Sequence, residues 1–150
     1  MKPLLYILAI AAASAGSSVL AADFNLSGTV NSVCQAGSFT TPPPLVLVNS
    51  YGDLNPAGVN KSFTSATNFF CNGIGASVTV THQDLTTPTP VNTASDQFTN
   101  VITFSAASDL PANGAFDKPA TVTITGASTN GKKPVSGTYS GSVTITLTAG

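Results

Sequence analysis

The chain contains no glutamate, no arginine and no tryptophan, and only 7% of its 150 residues are charged. A protein that binds a nucleic-acid backbone needs clustered lysine or arginine to neutralise phosphates. Only Lys132 and Lys133 form such a pair, and they lie in a turn rich in glycine, asparagine and proline. The sequence therefore argues against nucleic acid as a partner.

Residues suited to catalysis are few and scattered. His82 is the only histidine, and we interpret it as a solvated residue at the end of a strand rather than the base of a nucleophile. The six aspartates occur mostly in turn-like sequence, where this side chain bonds its own backbone. No spacing suggests an acid–base pair, a calcium or zinc ligand set, or a phosphate loop. We predict no enzymatic activity, no catalytic residue, no metal site and no cofactor.

Residues 1–21 have the three-part layout of a secretory signal peptide. Lys2 is followed by an apolar run from Leu4 to Ala15, and small or modest side chains then lead to Ala21. The run is shorter than the roughly 20 apolar residues that cross a bilayer, although an uncleaved anchor is the alternative. We expect cleavage after Ala21 or Ala22 and export of one domain, residues 22–150. This mature chain would carry four lysines and six aspartates, a net charge of −2.

The two cysteines of the chain, Cys34 and Cys71, are expected to pair with each other in an oxidising compartment. The bridge would close a loop of about 36 residues and stabilise the fold by roughly 3–4 kcal/mol through loop-closure entropy. Two free thiols or a metal site are the alternatives.

Alternation of apolar residues with Thr, Ser or Asn predicts strands along most of the mature chain. Leu45–Val48 is instead continuously apolar, which predicts a strand covered on both faces or one that passes between sheets. Glycine- and proline-rich turns separate these segments, among them Asn55–Gly58. The pattern indicates an all-β sandwich. The alternating stretches are residues 24–30, 76–81, 120–125 and 142–148.

Three features of this layout resemble chaperone–usher pilins and the related spore-coat-protein-U-type secreted domains. The turn Gly137-Thr138-Tyr139 precedes a long alternating strand at the end of the chain. Cys34 follows an N-terminal strand pattern, and Cys71 precedes another. The segment Phe24-Asn-Leu-Ser-Gly-Thr-Val30 alternates at the mature N-terminus.

The resemblance implies an immunoglobulin-like sandwich that lacks one strand and receives it from another subunit. Phe24, Leu26, Gly28 and Val30 would be the donor residues, with Gly28 where the groove narrows. Val143, Ile145 and Leu147 would line part of the receiving groove. A periplasmic chaperone and an outer-membrane usher would be partners, and the product would be a homo- or hetero-polymer at the cell surface. This is β-augmentation, in which main-chain hydrogen bonds supply affinity and alternate side chains fill pockets.

Two alternatives stay open. Residues 24–30 could be the first strand of a complete, self-contained sandwich. Such a domain could bind a ligand, and a glycan is the first candidate. The best ligand loop in the sequence is the one with Tyr51 and Asp53, because an exposed tyrosine there would offer an apolar face beside polar groups.

Overall fold

The computed structural model describes residues 26–91 and 97–150, so the predicted signal peptide and Phe24 lie outside the described residues. β-Branched and alternating residues form strands throughout, as their preference for pleated, half-buried surfaces requires. The elements are β1 (Cys34–Gln35), α1 (Pro56–Val59), β2 (Lys61–Thr64), β3 (Phe69–Cys71), β4 (Ser77–Thr86), β5 (Phe98–Thr99), β6 (Val101–Ser108), β7 (Phe116–Lys118), β8 (Thr121–Ser128), β9 (Lys133–Pro134) and β10 (Ser140–Thr148).

The strands form an all-β, immunoglobulin-like sandwich, as predicted. One layer has the strand order β10-β4-β6-β8-β2, and a smaller layer has the order β1-β3-β7; both are antiparallel. A short parallel pair, β5-β9, lies beside them. No helix within the described ranges is long and apolar enough to cross a membrane.

The core consists of two apolar clusters at opposite ends of the sandwich. At one end Phe69, Leu110 and Ala120 pack against residues of β4, β7 and β10. At the other end Val59, Phe104 and Ile124 pack against Leu47, Leu54, Phe63, Leu85 and Val143, among others. The predicted disulfide between Cys34 and Cys71 is present and joins β1 to β3 at the first end.

A half-buried tyrosine fixes the entry into the last strand. The Tyr139 hydroxyl lies 3.1 Å from the carbonyl oxygens of both Val135 and Thr99 and can donate its proton to either. The bond to Val135 resembles the tyrosine corner of immunoglobulin-like sandwiches, in which a tyrosine hydroxyl bonds backbone a few residues upstream. Burial raises the pKa of Tyr139.

Four local predictions were wrong. The alternation at residues 24–30 gives no strand in its described part, residues 26–30. Leu45–Val48 is neither a strand covered on both faces nor one that passes between sheets, because apart from one bridge between Val48 and Leu54 it is not a strand; Val46 is 62% exposed, and Leu45 and Leu47 are half-buried. The predicted turn Asn55–Gly58 is instead the start of α1, with the Asn55 side chain accepting a hydrogen bond from Gly58 N and Pro56 in the first turn.

The fourth wrong prediction concerns His82, which is exposed as predicted but does not end a strand, since β4 continues past it to Thr86. Its ring packs against Phe104 with a centroid separation of 4.8 Å, and the two rings are tilted by 38°. The neighbouring Asp84 lies inside the same strand, and its Oδ1 accepts a hydrogen bond from Phe104 N at 3.3 Å. Because β4 and β6 pair only at Leu85 and Thr86, this carboxylate bonds a backbone group at the point where the two strands separate.

Candidate functional site

The N-terminal arm, residues 26–30, belongs to no strand and is exposed along its whole length. Leu26 is 84% exposed and Val30 86% exposed, and a Cβ at Gly28 would meet no atom within 4 Å. Three of the four predicted donor residues thus lie together on a highly exposed segment, and the fourth, Phe24, is outside the described residues. Apolar side chains left in water at alternate positions are costly unless another surface covers them.

The last strand, β10, presents an edge without a ladder partner in the part of the chain that the structure describes. It pairs with β4 along one side, in a register that places Ile145 opposite Val80 and Leu147 opposite Val78. Val143, Ile145 and Leu147 are only half-buried, whereas the alternating threonines are exposed. A strand edge with half-covered apolar side chains is a template for pairing with another chain.

An open apolar groove of about 270 Å³ lies between the five-stranded layer and the segment of residues 39–45, beside the start of β10. Of the three predicted acceptor residues, Val143 lines the groove, while Ile145 and Leu147 pack against the Phe69 cluster. One wall is the segment that carries Phe39, Pro42 and Leu45. The floor comes from four other strands and consists of Phe63, Leu85, Phe104, Val122 and Ile124.

The root of the arm and the groove lie at opposite ends of β10. Ser32, at the root, and Gly150, beyond the end of β10, both approach Gly73 so closely that a Cβ there would collide with Ser32 Oγ. The groove instead contacts Gly141, Ser142 and Val143, at the start of the strand. An arm that enters a groove on another copy would therefore join two molecules head to tail.

The predicted ligand loop is held rigidly and presents one aromatic ring. Asn49 Oδ1 accepts hydrogen bonds from Tyr51 N at 2.9 Å and Asp53 N at 3.1 Å. Lys133 Nζ forms an ion pair with Asp53 Oδ1 at 3.1 Å and bonds the Tyr51 carbonyl at 3.3 Å. The Tyr51 residue is 81% exposed. Asp53 is thus engaged by Lys133, and the ring of Tyr51 is the accessible part of the loop.

Titratable side chains do not assemble into a reactive centre in the described ranges. His82 Nε2 is 3.8 Å from Asp84 Oδ1, and both side chains are about a third exposed. No group of three or more His, Cys, Asp or Glu residues suited to a metal ion occurs among the described residues. The distinctive chemistry of the site is therefore apolar side chains and unpaired backbone groups.

Sequence reasoning missed most of the groove. Phe39, Leu85 and Phe104 were not singled out, because each is a single apolar residue in a different segment and the pattern of one strand does not reveal which residues meet across the layers. The signal that could have found the first wall is the prolines before Leu45, since Pro42, Pro43 and Pro44 have no N–H and cannot continue a ladder.

Comparisons of the chain with protein-family models, with curated proteins and with solved structures found no match.

Proposed function

We propose that this chain is a structural subunit of a bacterial surface fibre or coat, fimbrial in type, which assembles when one subunit donates its N-terminal arm to the next. The observation that carries the proposal is the coexistence, among the described residues, of an exposed apolar arm and an apolar strand edge without a ladder partner. Leu26 and Val30 are largely exposed, and the edge of β10 borders the open groove. Each half supplies what the other lacks.

The physical basis is strand addition. An extended arm would pair its backbone with the edge of β10, while its alternate side chains enter the groove. The exposed arm residues Leu26 and Val30 are spaced by four, so both point to the same face of an extended strand. Burying two such side chains stabilises a complex by about 3–6 kcal/mol before ordering costs are subtracted.

The position of the arm root favours donation between molecules. Both the arm and β10 run towards Gly73 in the direction of the chain, so an arm laid on its own β10 would be parallel to it. Parallel pairing is slightly less stable per residue than antiparallel pairing. An arm from another molecule can enter in either direction, and head-to-tail contacts of this kind build open filaments.

Export and handling by other proteins complete the proposal. The signal-peptide pattern of residues 1–21 and the disulfide Cys34–Cys71 are both compatible with passage through the periplasm to the cell surface. An unpaired edge is an aggregation hazard before assembly. We therefore include a periplasmic chaperone that covers the groove, an outer-membrane usher, and other copies or related subunits as partners.

A gel ladder tests the proposal. Protein exported from a bacterial host is run in detergent with and without boiling, as wild type, Leu26→Asp and Ser27→Asp. Leu26 and Ser27 point to opposite sides of an extended arm, so the second variant adds the same charge on the side away from the groove. We expect a heat-sensitive ladder from wild type and Ser27→Asp, and a monomer alone from Leu26→Asp. A single monomer band from all three, or a ladder that survives Leu26→Asp, contradicts the proposal.

A secreted binding module, with a glycan as the first ligand to test, is the second candidate. The rigid loop that exposes Tyr51 favours it, since amphipathic rings with one apolar face suit recognition surfaces. Glycan-array binding that is lost in Tyr51→Ala and kept in Leu26→Asp would support this function. An array without signal removes it.

A further inference from the structure

Asn72 makes three hydrogen bonds to the root of the N-terminal arm, residues 31–33. Its Oδ1 accepts from Val33 N at 2.7 Å, and its Nδ2 donates to the Asn31 carbonyl at 3.0 Å. Its own backbone N–H donates to the Val33 carbonyl at 3.1 Å. The Asn72 side chain therefore bonds the adjacent segment, residues 31–33, with one acceptor and one donor, as a peptide group does in a β-ladder.

These bonds continue the ladder between β1 and β3 past the Cys34–Cys71 pair: the backbone bond from Asn72 to Val33 adds one rung, and the two side-chain bonds extend it to Asn31. Cys34 and Cys71 are opposite each other in that ladder and are joined by the disulfide. Asn72 follows Cys71 directly, and the next residue, Gly73, leaves room for Ser32 because it has no Cβ. The root is thus tied to the domain at consecutive positions, whereas the arm beyond it, residues 26–30, has no such tie to any other part of the chain that the structure describes.

We propose that Asn72 is a positioning residue for strand donation, which fixes where the arm ends and the direction in which it leaves the domain, so that a second copy receives a donor of constant length. This inference depends on the proposed function. A free root would add residues 31–33 to the mobile donor and raise the entropy lost when the arm is ordered in the groove. It would also lower the effective concentration of the arm at a neighbouring groove.

The chain offers a matched control for Asn72. Asn68 lies just before β3, as Asn72 lies just after it, and its Nδ2 donates to Asp117 Oδ1 at 2.7 Å. Asn68 is exposed and Asn72 is half-buried. Removal of the Asn68 side-chain amide deletes its hydrogen bond to Asp117, and removal of the Asn72 amide deletes its two bonds to the arm root. Both residues flank β3. Only Asn72 contacts the root of the arm, so the two substitutions separate positioning from a general effect on the fold.

The experiment measures donation and acceptance separately on the full-length chain, exported by a bacterial host and recovered as monomer by gel filtration. Donation is the rate at which the heat-sensitive ladder forms. Acceptance is the uptake of a fluorescent peptide copied from residues 23–31. The variants are Asn72→Ala, Asn72→Asp and Asn68→Ala. Asn72→Asp keeps an acceptor for Val33 N and loses the donor to Asn31.

We expect Asn72→Ala to form the ladder about tenfold more slowly than wild type, since two net hydrogen bonds at the root are lost. Its uptake of the peptide should equal that of wild type, because the groove is at the other end of β10. Asn72→Asp should lie between the two, and Asn68→Ala should match wild type in both assays. Mixed with wild type, Asn72→Ala subunits should accept arms normally and donate their own slowly.

Two results overturn the inference while the proposed function stands: ladder formation by Asn72→Ala at the wild-type rate, or parallel losses of ladder and peptide uptake in that variant, which would indicate a structural role. A wild-type protein that neither forms a ladder nor takes up the peptide contradicts the proposed function itself, and the inference with it.

Discussion

The N-terminal arm and the last strand, β10, have the same kind of sequence and different structures. Residues 26–30 and β10 both alternate apolar residues with Ser, Thr or Gly. In the arm, Leu26 is 84% exposed and Val30 86% exposed, and no strand forms. In β10 the corresponding apolar residues are half-buried and the backbone pairs with β4; they are Val143, Ile145 and Leu147.

The difference teaches that alternation specifies a face and leaves the partner undetermined. β10 has a partner within its own chain, because β4 places Val78 and Val80 opposite Leu147 and Ile145 and places threonines opposite threonines. Both faces of that pair are therefore satisfied by cross-strand contacts. The arm finds no equivalent among the described residues. The arm has the alternating sequence of a strand, but among the described residues it has no sheet edge to pair with.

The largest expected effect is a loss of stability from a substitution in β10, which tests whether β10 and the arm differ in packing. Ile145→Asp places a charge against the cluster around Phe69 and removes a half-buried apolar side chain that packs on it, so we expect a loss of about 4 kcal/mol in the free energy of unfolding. Leu26→Asp, which adds the same charge to the exposed arm, should change the stability of the monomer by less than about 0.5 kcal/mol. Urea unfolding of the two monomers measures both values. Equal losses would mean that the arm packs as firmly as β10.

The next effect concerns the tie between the arm root and the domain. The disulfide joins residues 37 apart in sequence, so the Cys34→Ser, Cys71→Ser double variant should lose about 3–4 kcal/mol through loop-closure entropy. The wild-type protein unfolded in the presence of reductant should lose the same amount, whereas reductant should not affect the double variant. If reductant leaves the unfolding midpoint of the wild type unchanged, the disulfide is absent or contributes nothing to stability.

A smaller effect is expected at the entry into β10. Tyr139→Phe removes the hydroxyl that bonds the Val135 or Thr99 carbonyl, which should cost about 1–2 kcal/mol at neutral pH. Burial raises the pKa of Tyr139 above its ordinary value of 10.0. The neutral form is therefore favoured by folding, and its contribution is complete below pH 10 and declines as the pH rises through the folded-state value. Chemical unfolding of wild type and variant from pH 7 to 11 should show their difference shrinking at the alkaline end.

Much of the sheet could be predicted from the sequence, because strict alternation identifies strands whose neighbours are also alternating. The stretches at 76–81, 120–125 and 142–148 are all strands, and the sandwich and its disulfide follow the prediction. Leu45–Val48 misled because a short apolar run fits a buried strand and a half-covered loop equally well. Asn55-Pro56 carried a readable helix start, an N-cap followed by proline, which was taken for a turn.

The groove could not be predicted, since it is a property of the assembled layers. His82 and Phe104 are 22 residues apart in sequence and pack together only because β4 and β6 lie side by side. Val143 was predicted for the groove through the resemblance of its strand to the last strand of pilins, whereas the opposite wall at Phe39 comes from a segment without any periodic pattern. A local sequence pattern indicates which face of a strand is apolar, whereas the shape of the groove depends on which distant segments cover that face.

The smallest effect is expected from a substitution at Asp109, which lies outside both the arm and β10 and serves as a control for the comparison. Asp109 accepts hydrogen bonds from Lys118 Nζ at 2.7 Å and Thr121 N at 2.6 Å, and these bonds lower its pKa from the ordinary value of 3.8. The charged form is favoured by folding, so its contribution is complete above about pH 4 and is lost as the pH falls through the lower folded-state value. Because both side chains are at least 40% exposed, solvent limits the contribution to about 1 kcal/mol or less. Acid unfolding of Asp109→Asn should therefore be slightly less steep than that of wild type. Its gel ladder should be unchanged, because neither the arm nor the edge of β10 is touched; a ladder lost in this variant would show that assembly follows general stability rather than these two segments.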